Sequence, residues 1–229
     1  MNWDGLHFLG NSQFGYPYDL NCAFLPLLPW ILRICGPLPF FLVNNGIFVL
    51  SALLFYKLSM RIQQNARRAY YSTLLFIYNP ASIHFSSFYT ESLYFFLSTV
   101  MFLLSNQEND WLMIVPIAVA TSLRSNSVLL VPFVLFPSIL SHSTPRQRRT
   151  LFFWVKTGVI MALCVSPLIL YLIVNAAAFC TPSSSWNPLI ILFACNGTTI
   201  YSSVEEKYWN VRPFGYYSWN HVNLFAVYE

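Results

Sequence analysis

Residues 151–174 read LFFWVKTGVIMALCVSPLILYLIV. The run holds one charged side chain, Lys156, near its start and is otherwise almost wholly apolar. About 20 such residues, as a helix, cross the ~30 Å hydrocarbon core of a bilayer, so the stretch reads as a membrane span. Residues 40–56, FFLVNNGIFVLSALLFY, form a second uncharged run. Between them lie apolar runs at 70–88, 92–104, 111–123 and 127–140. The first of these approaches spanning length. The other three reach only about 20 Å each and are expected to be re-entrant or broken helices, or spans lengthened by polar flanks.

The rest of the chain shares this character. Of 229 residues, 56% are hydrophobic and 9% charged, with mean hydropathy +0.53. Soluble domains carry roughly 25% charged residues. So few charges cannot cover a water-soluble surface, and so much apolar content excludes disorder. The expected fold is all-α, a single polytopic membrane unit. Its parts are a first outer segment (1–39), transmembrane and re-entrant helices (40–174) and an outer loop segment (175–229). The net charge of +4 from 12 basic residues is too small for a nucleic-acid partner, which needs a dense basic patch. The five cysteines show no CxxC pair and no zinc-like spacing with histidine, so no metal is expected. The start, Met1 to Asp4, has neither a basic nor an apolar run, so no signal peptide is expected. Glycine-rich phosphate loops and G-x-S-x-G or H-E-x-x-H patterns are absent, which leaves soluble hydrolase and nucleotide-dependent chemistry without support.

Basic residues set the orientation. Lys57, Arg61, Arg67 and Arg68 form one connection, and Arg146, Arg148, Arg149 and Lys156 another. By the positive-inside rule both are cytosolic. With a cytosolic turn at 106–110, the hairpin tips Phe88-Tyr89-Thr90-Glu91 and Arg124-Ser125-Asn126 point outward, together with both terminal segments. Asn79-Pro80 predicts a break in the helix. Thr90 is expected to cap a helix beginning at Glu91. Asn196-Gly197-Thr198 is an N-glycosylation sequon within the outer segment.

Each candidate residue has two readings. Asp4 is either a general base at the membrane surface or an ordinary solvated carboxylate, and its spacing favours the second. Asp19 reads as solvated too. Glu91 either takes its place from a helix dipole or walls an acceptor site. Arg124 interrupts a long apolar stretch. A charge at that depth faces a cavity or a partner, so it meets a lipid phosphate or pairs with Glu91. Cys180 and Cys195 flank the outer loop, where an oxidising compartment would let a disulfide close it. Cys22 and Cys35 are expected to be free, and Cys164 buried in a helix. Tyr208-Trp209-Asn210 and Tyr216-Tyr217 suit an interfacial belt or sugar stacking. Arg33, Lys207, Arg212 and His221 are outer cations among which spacing does not choose, and His84 and His142 read as interfacial.

Eight short blocks then occur in one order along nearly the whole chain. They are Trp3-Asp4-Gly5-Leu6-His7-Phe8, Gly15-Tyr16, and Asn21-Cys22-Ala23-Phe24-Leu25-Pro26 with Pro29. Asn79-Pro80-Ala81-Ser82, Tyr89-Thr90-Glu91-Ser92, Arg124-Ser125-Asn126, Phe179-Cys180 and Tyr208-Trp209-Asn210-Val211 follow. In these blocks the sequence resembles the GPI mannosyltransferase 2 (PIG-V) family. The resemblance implies a multi-pass endoplasmic reticulum enzyme of the GT-C glycosyltransferase fold. Such an enzyme transfers the second mannose of the GPI anchor, in α1,6 linkage, on the luminal side. It implies dolichyl-phosphate mannose as donor, mannosylated glucosaminyl-phosphatidylinositol as acceptor, no cofactor, and a small membrane subunit as a candidate partner. It places Asp4 at the essential acidic position of the first luminal loop, hence catalytic. Trp3, His7, Glu91, Arg124, Asn126, Lys207 and Trp209 become the candidate substrate-binding set. The family has a helix before the Trp-Asp motif and several beyond the Tyr-Trp block, so truncation at both ends is expected. Ser127 stands where the family has glycine, and Arg212-Pro213-Phe214 departs from its pattern. A polytopic transporter and an inactive, binding-only family member are the alternatives.

Overall fold

The computed structural model describes residues 3–105, 110–133, 151–180, 187–195 and 197–209. Among these the regular structure is helical, and the one β-bridge, Cys195 with Thr198, is isolated. The helices are α1 (Trp3–Phe14), α2 (Leu27–Cys35), α3 (Pro37–Gln63), α4 (Ala66–Ile77), α5 (Ser82–Phe85), α6 (Glu91–Leu104), α7 (Ile114–Thr121), α8 (Leu151–Phe179), α9 (Pro188–Leu192) and α10 (Ile200–Trp209). Short 3₁₀ turns occupy Asp19–Ala23, Asp110–Met113 and Ser125–Leu130.

Among the described residues two helices are long and apolar enough to cross a membrane: α3, and α8 over Phe153–Phe179. Only 22% of each span is buried within the protein, so their apolar faces are not covered as a soluble core would be. Leu38, Leu42, Val49 and Leu53 stand exposed along α3, as lipid-facing residues do. Pro37 opens α3 at a position where a missing N–H is harmless, and Gln64 closes the helix in the left-handed region.

Contacts divide the chain into two compact units, residues 1–15 with 24–168, and 16–23 with 169–229. In the first, α3 is the axis. Gln63 Nε2 donates to Ser72 Oγ at 3.1 Å, and Phe48 meets Phe76, so α4 returns antiparallel to α3. The apolar run 70–88 is not one helix. It breaks at Tyr78, and Asn79 Oδ1 accepts from Ala81 N across the turn before α5. The proline at 80 restricts the residue before it, which explains the stop. The chain then forms the first crown, 86–90, and descends as α6. Asn44 contacts the crown while Arg61 Nη1 donates to Leu103 O, near the end of α6, at 2.8 Å. Those α3 positions lie about 17 residues apart, roughly 25 Å of helix. The α4–crown–α6 hairpin therefore runs most of the length of the span. Lys57, Arg61, Arg67 and Arg68 cluster around the end of α3 opposite to the crown.

Stacked and edge-on rings of Phe55, Phe76, Phe85 and Phe95 fasten α3, α4, α5 and α6 together. A buried cluster of Met101, Met113, Ile117, Ala120, Ile160 and Cys164 joins α6, α7 and the first half of α8. There Thr121 Oγ1 donates to Cys164 O at 3.0 Å, and Ser127 Oγ to Ala120 O at 2.7 Å. Ser127 is fully buried, so its hydroxyl replaces water with a carbonyl partner at the turn after α7.

The second unit buries Cys22, Ala176, Ile191, Cys195, Ile200 and Val204 together. Tyr171 Oη donates to Cys22 O at 3.1 Å, and Cys22 Sγ to Asn175 Oδ1 at 3.3 Å. A disulfide joins Cys180 to Cys195, whose Cα atoms lie 5.1 Å apart.

Candidate functional site

The Trp-Asp block folds as the first turn of α1, with Asp4 on an exposed position. This helix passes the first crown at Gly5. A Cβ built there would stand 3.5 Å from Phe88 O and 3.6 Å from Phe88 Cβ. Asp4 then lies beside Tyr89, whose phenol is pushed above its ordinary range by burial first and by the negative charge of Asp4 next. His7, one turn on, stacks on Phe24 at 4.5 Å, and Phe8 meets the same ring edge-on at 5.3 Å. His7 is thus held against Phe24, in the stretch before α2.

The two crowns meet. Arg124 Nη1 lies 2.6 Å from Glu91 Oε1, and the guanidinium stands 5.7 Å from the centre of the Tyr94 ring. The pairing with Glu91, one of the two readings of Arg124 in the sequence, is formed. The pair is about a third and a quarter exposed, respectively, so water and solutes reach it. Glu91 begins α6, where its charge also suits the helix dipole. Its second oxygen, Oε2, is buried and accepts no hydrogen bond from the described residues. Thr90 sits at the N-cap of α6 but its side chain makes no cap hydrogen bond, contrary to expectation. Its backbone is in the helical region rather than the extended one a capping side chain uses, and the residue is buried. Asn126 is exposed on the 3₁₀ turn after Arg124.

Sequence reading missed what holds the first crown. Asn44 Nδ2 donates to Phe85 O at 3.0 Å and to Ser87 O at 2.9 Å. Ser92 Oγ donates to the same Phe85 carbonyl. Two adjacent amides in an uncharged span were the available signal.

The remaining candidates belong to the second unit or lie outside the described residues. Lys207 Nζ is 2.5 Å from Asp19 Oδ2, and Tyr208 Oη donates to Asp19 Oδ1 at 2.7 Å. Asp19 is therefore not a plain solvated carboxylate, and Lys207 already has a counter-ion. Trp209, the last residue of α10, is about half exposed. Among the free cysteines Cys22 and Cys164 are buried and Cys35 exposed. Asn196, His142, Arg146, Arg148, Arg149, Asn210, Arg212, Tyr216, Tyr217 and His221 lie outside the described residues, and of Trp3 the backbone alone is described. Among the described residues no group of three or more His, Cys, Asp or Glu side chains could hold a metal ion.

Residues 32–228 match the family described as Mannosyltransferase (PIG-V). The chain is 28% identical over 267 residues to GPI alpha-1,6-mannosyltransferase 2 of Cricetulus griseus, covering 98% of this chain and 54% of that protein. It is 26% identical to the Homo sapiens protein of the same name, covering 99% and 54%. Against GPI mannosyltransferase 2 of Cryptococcus neoformans it is 27% identical, covering 99% and 59%. The chain thus spans little more than half the length of these relatives. No solved structure matches it.

Proposed function

The chain belongs to the mannosyltransferase (PIG-V) family, and from that premise we propose that it contributes the catalytic crown of a GPI α1,6-mannosyltransferase. The reaction adds the second mannose to the GPI precursor, from dolichyl-phosphate mannose, on the luminal side of the endoplasmic reticulum membrane. The fold is assigned to the GT-C type. The observation that carries this reading is the convergence of Asp4, Tyr89, Glu91 and Arg124, from three separate stretches of chain, at one end of the first unit.

In the transfer, the acceptor 6-hydroxyl oxygen attacks the anomeric carbon of the donor mannose. The bond from that carbon to the phosphate oxygen breaks, and its electron pair leaves on dolichyl phosphate. Asp4 takes the hydroxyl proton, or orients the hydroxyl for attack. An exposed carboxylate in the first turn of α1, beside the crown, can reach a sugar hydroxyl. Arg124 spends Nη1 on Glu91, and a guanidinium has five N–H donors, so others remain for the phosphate as negative charge collects on it. Glu91 is assigned to the wall of the acceptor site on its motif position beside the first crown. Lys207 is the weaker candidate for the phosphate, because Asp19 neutralises it. His7, Asn126, Trp3 and Trp209 are assigned to substrate contact on their motif positions. The alternative of a transporter has only the broken helices in its favour.

The test is Asp4→Asn in the full-length protein, expressed in cells that lack the second GPI mannose. The unsubstituted protein should restore the mannose and D4N should not. Normal mannosylation by D4N would remove Asp4 from the role of base.

A further inference from the structure

Asn44 and Asn45 stand side by side in α3, and from Phe40 to Leu50 their neighbours are apolar apart from Gly46. Polar side chains inside a span are costly and persist where they serve a site. Asn44 is fully buried. Its Nδ2 donates to Phe85 O and Ser87 O, and Asn45 Nδ2 reaches Ser86 O at a long 3.4 Å while holding its own helix at Phe41 O, 2.8 Å. Three successive carbonyls therefore face two successive amides. Phe85 is the last residue of α5, so its carbonyl has no partner within that helix, and Ser86 and Ser87 follow in the turn.

The network reaches both ends of the crown. The Phe85 carbonyl also accepts from Ser92 Oγ in the first turn of α6, and the Ser87 carbonyl from Tyr89 N at 2.9 Å. Two carbonyl acceptors fix the amide's orientation, because only its NH₂ end can face both. Asn44 Oδ1 is left buried with no partner among the described residues. The side chain is thus turned toward the crown at the expense of its own oxygen. Phe40 and Phe48 flank it, against Phe88 at 6.0 Å and Phe85 at 5.4 Å. The association of α3 with α6 has other supports, in the Phe55–Phe95 contact and the Arg61–Leu103 hydrogen bond. What Asn44 adds is local: the height and tilt of residues 85–91.

We infer that Asn44 is a positioning residue for glycosyl transfer, with Asn45 in a secondary role. By tying the crown to the α3 span it sets where Tyr89 and Glu91 stand relative to Asp4 and Arg124. The inference rests on the reading of this crown as the transfer site. A displacement of about 1 Å in such an assembly costs on the order of 100-fold in rate.

The test uses the full-length enzyme in lipid nanodiscs. Asn44→Leu keeps the volume and removes both donors. Its kcat should fall on the order of 100-fold, with KM for dolichyl-phosphate mannose nearly unchanged. Amide hydrogen exchange should rise at residues 86–90 and stay level along α3 and α6. The double variant Asn44→Cys with Ser87→Cys supplies a rescue. Oxidation should re-tie the crown and restore kcat, and reduction should abolish it again, judged against the unsubstituted enzyme taken through the same cycle. Should N44L fail to fold, the cysteine pair carries the test alone. Unchanged kcat, unchanged exchange at 86–90, or a cross-link that restores nothing would overturn the inference. Absence of transfer by the unsubstituted enzyme would instead remove the functional reading, and the exchange arm would still decide whether Asn44 holds the crown.

Discussion

Arg124 and Glu91 lie 33 residues apart in sequence and meet through Nη1 and Oε1 at 2.6 Å, so each hairpin crown is latched to the other. The latch is neither buried nor fully solvated. That intermediate setting lets it fix geometry while leaving the guanidinium within reach of a ligand.

Removing one partner should cost more than removing both, because a lone charge at this depth is left without compensation. A double-mutant cycle of Glu91→Gln and Arg124→Gln, followed by thermal unfolding, is expected to return a coupling of roughly 1 kcal/mol, the scale of partly exposed pairs. Arg124→Lys separates this role from phosphate binding. It keeps the charge but loses the planar fork, so stability should hold while transfer falls at least tenfold, on the order of one lost charge-assisted hydrogen bond. Equal loss of both would confine Arg124 to the latch.

Gly5 tests the approach of α1 to the crown. A methyl group at 3.5 Å from Phe88 O is in ordinary contact, so Gly5→Ala should leave transfer and melting temperature close to those of the parent. Gly5→Leu cannot be accommodated without moving α1, and Asp4 with it. Its transfer should fall on the order of 100-fold, as misplaced groups do. Wild-type activity in G5L would dissociate Asp4 from the crown.

The parts legible in the sequence are those fixed by local physics. The apolar runs at 40–56 and 151–174 became α3 and α8, longer at their ends because polar flanks such as Lys57 and Arg61 continue the same helix. The proline at 80 announced the break, and Glu91 the start of α6. Two helices in the first outer segment were not legible. In α1 the apolar residues are mixed with Gly5, Gly10 and Asn11, and in α2 Pro29 sits near the start. The short helices after Cys180 were equally hidden. The partnership of Asp19 with Lys207 spans 188 residues, a separation at which spacing carries no information. The pairing of Arg124 with Glu91 was one of two open readings because it depends on the turn after α7, which Ser127 and Thr121 hold through backbone carbonyls.

The Asp19–Lys207–Tyr208 group predicts an acid limb to the stability of the second unit. The hydrogen bond from the Lys207 ammonium holds the Asp19 carboxyl below its ordinary range. Burial opposes this, and the Tyr208 hydroxyl and Leu20 amide add to it. The folded value is lower than the unfolded one, roughly 3.9. The stabilisation is therefore complete above that pH and is lost as pH falls through the folded value. The melting-temperature gap between the parent and Asp19→Asn should be full at pH 6 and narrow steadily as the pH is taken below about 4. A gap that does not narrow over that acid range would assign the effect of D19N to packing instead.

The cysteines make a separate prediction about the same unit. Cys180 and Cys195 are 15 positions apart, and closing such a loop stabilises by about 3 kcal/mol through the unfolded chain. Cys195→Ser should lower the stability of the second unit by that order, with Cys180→Ser adding little more once the bridge is gone. Cys22 is buried, and burial first, then the Asp19 charge, pushes its thiol up to about 12, so it presents almost no thiolate at pH 8. Cys164 is enclosed between α7 and α8. Maleimide labelling of the folded protein in detergent should therefore modify one site quickly, Cys35, and after mild reduction Cys180 as well, while the buried Cys195 stays slow like Cys22 and Cys164. Mass spectrometry of the labelled peptides reads the outcome. Rapid labelling of Cys180 or Cys195 without reductant would mean that the bridge does not form, and the core around Ile191, Ile200 and Val204 would then have to hold its helices by apolar contact alone.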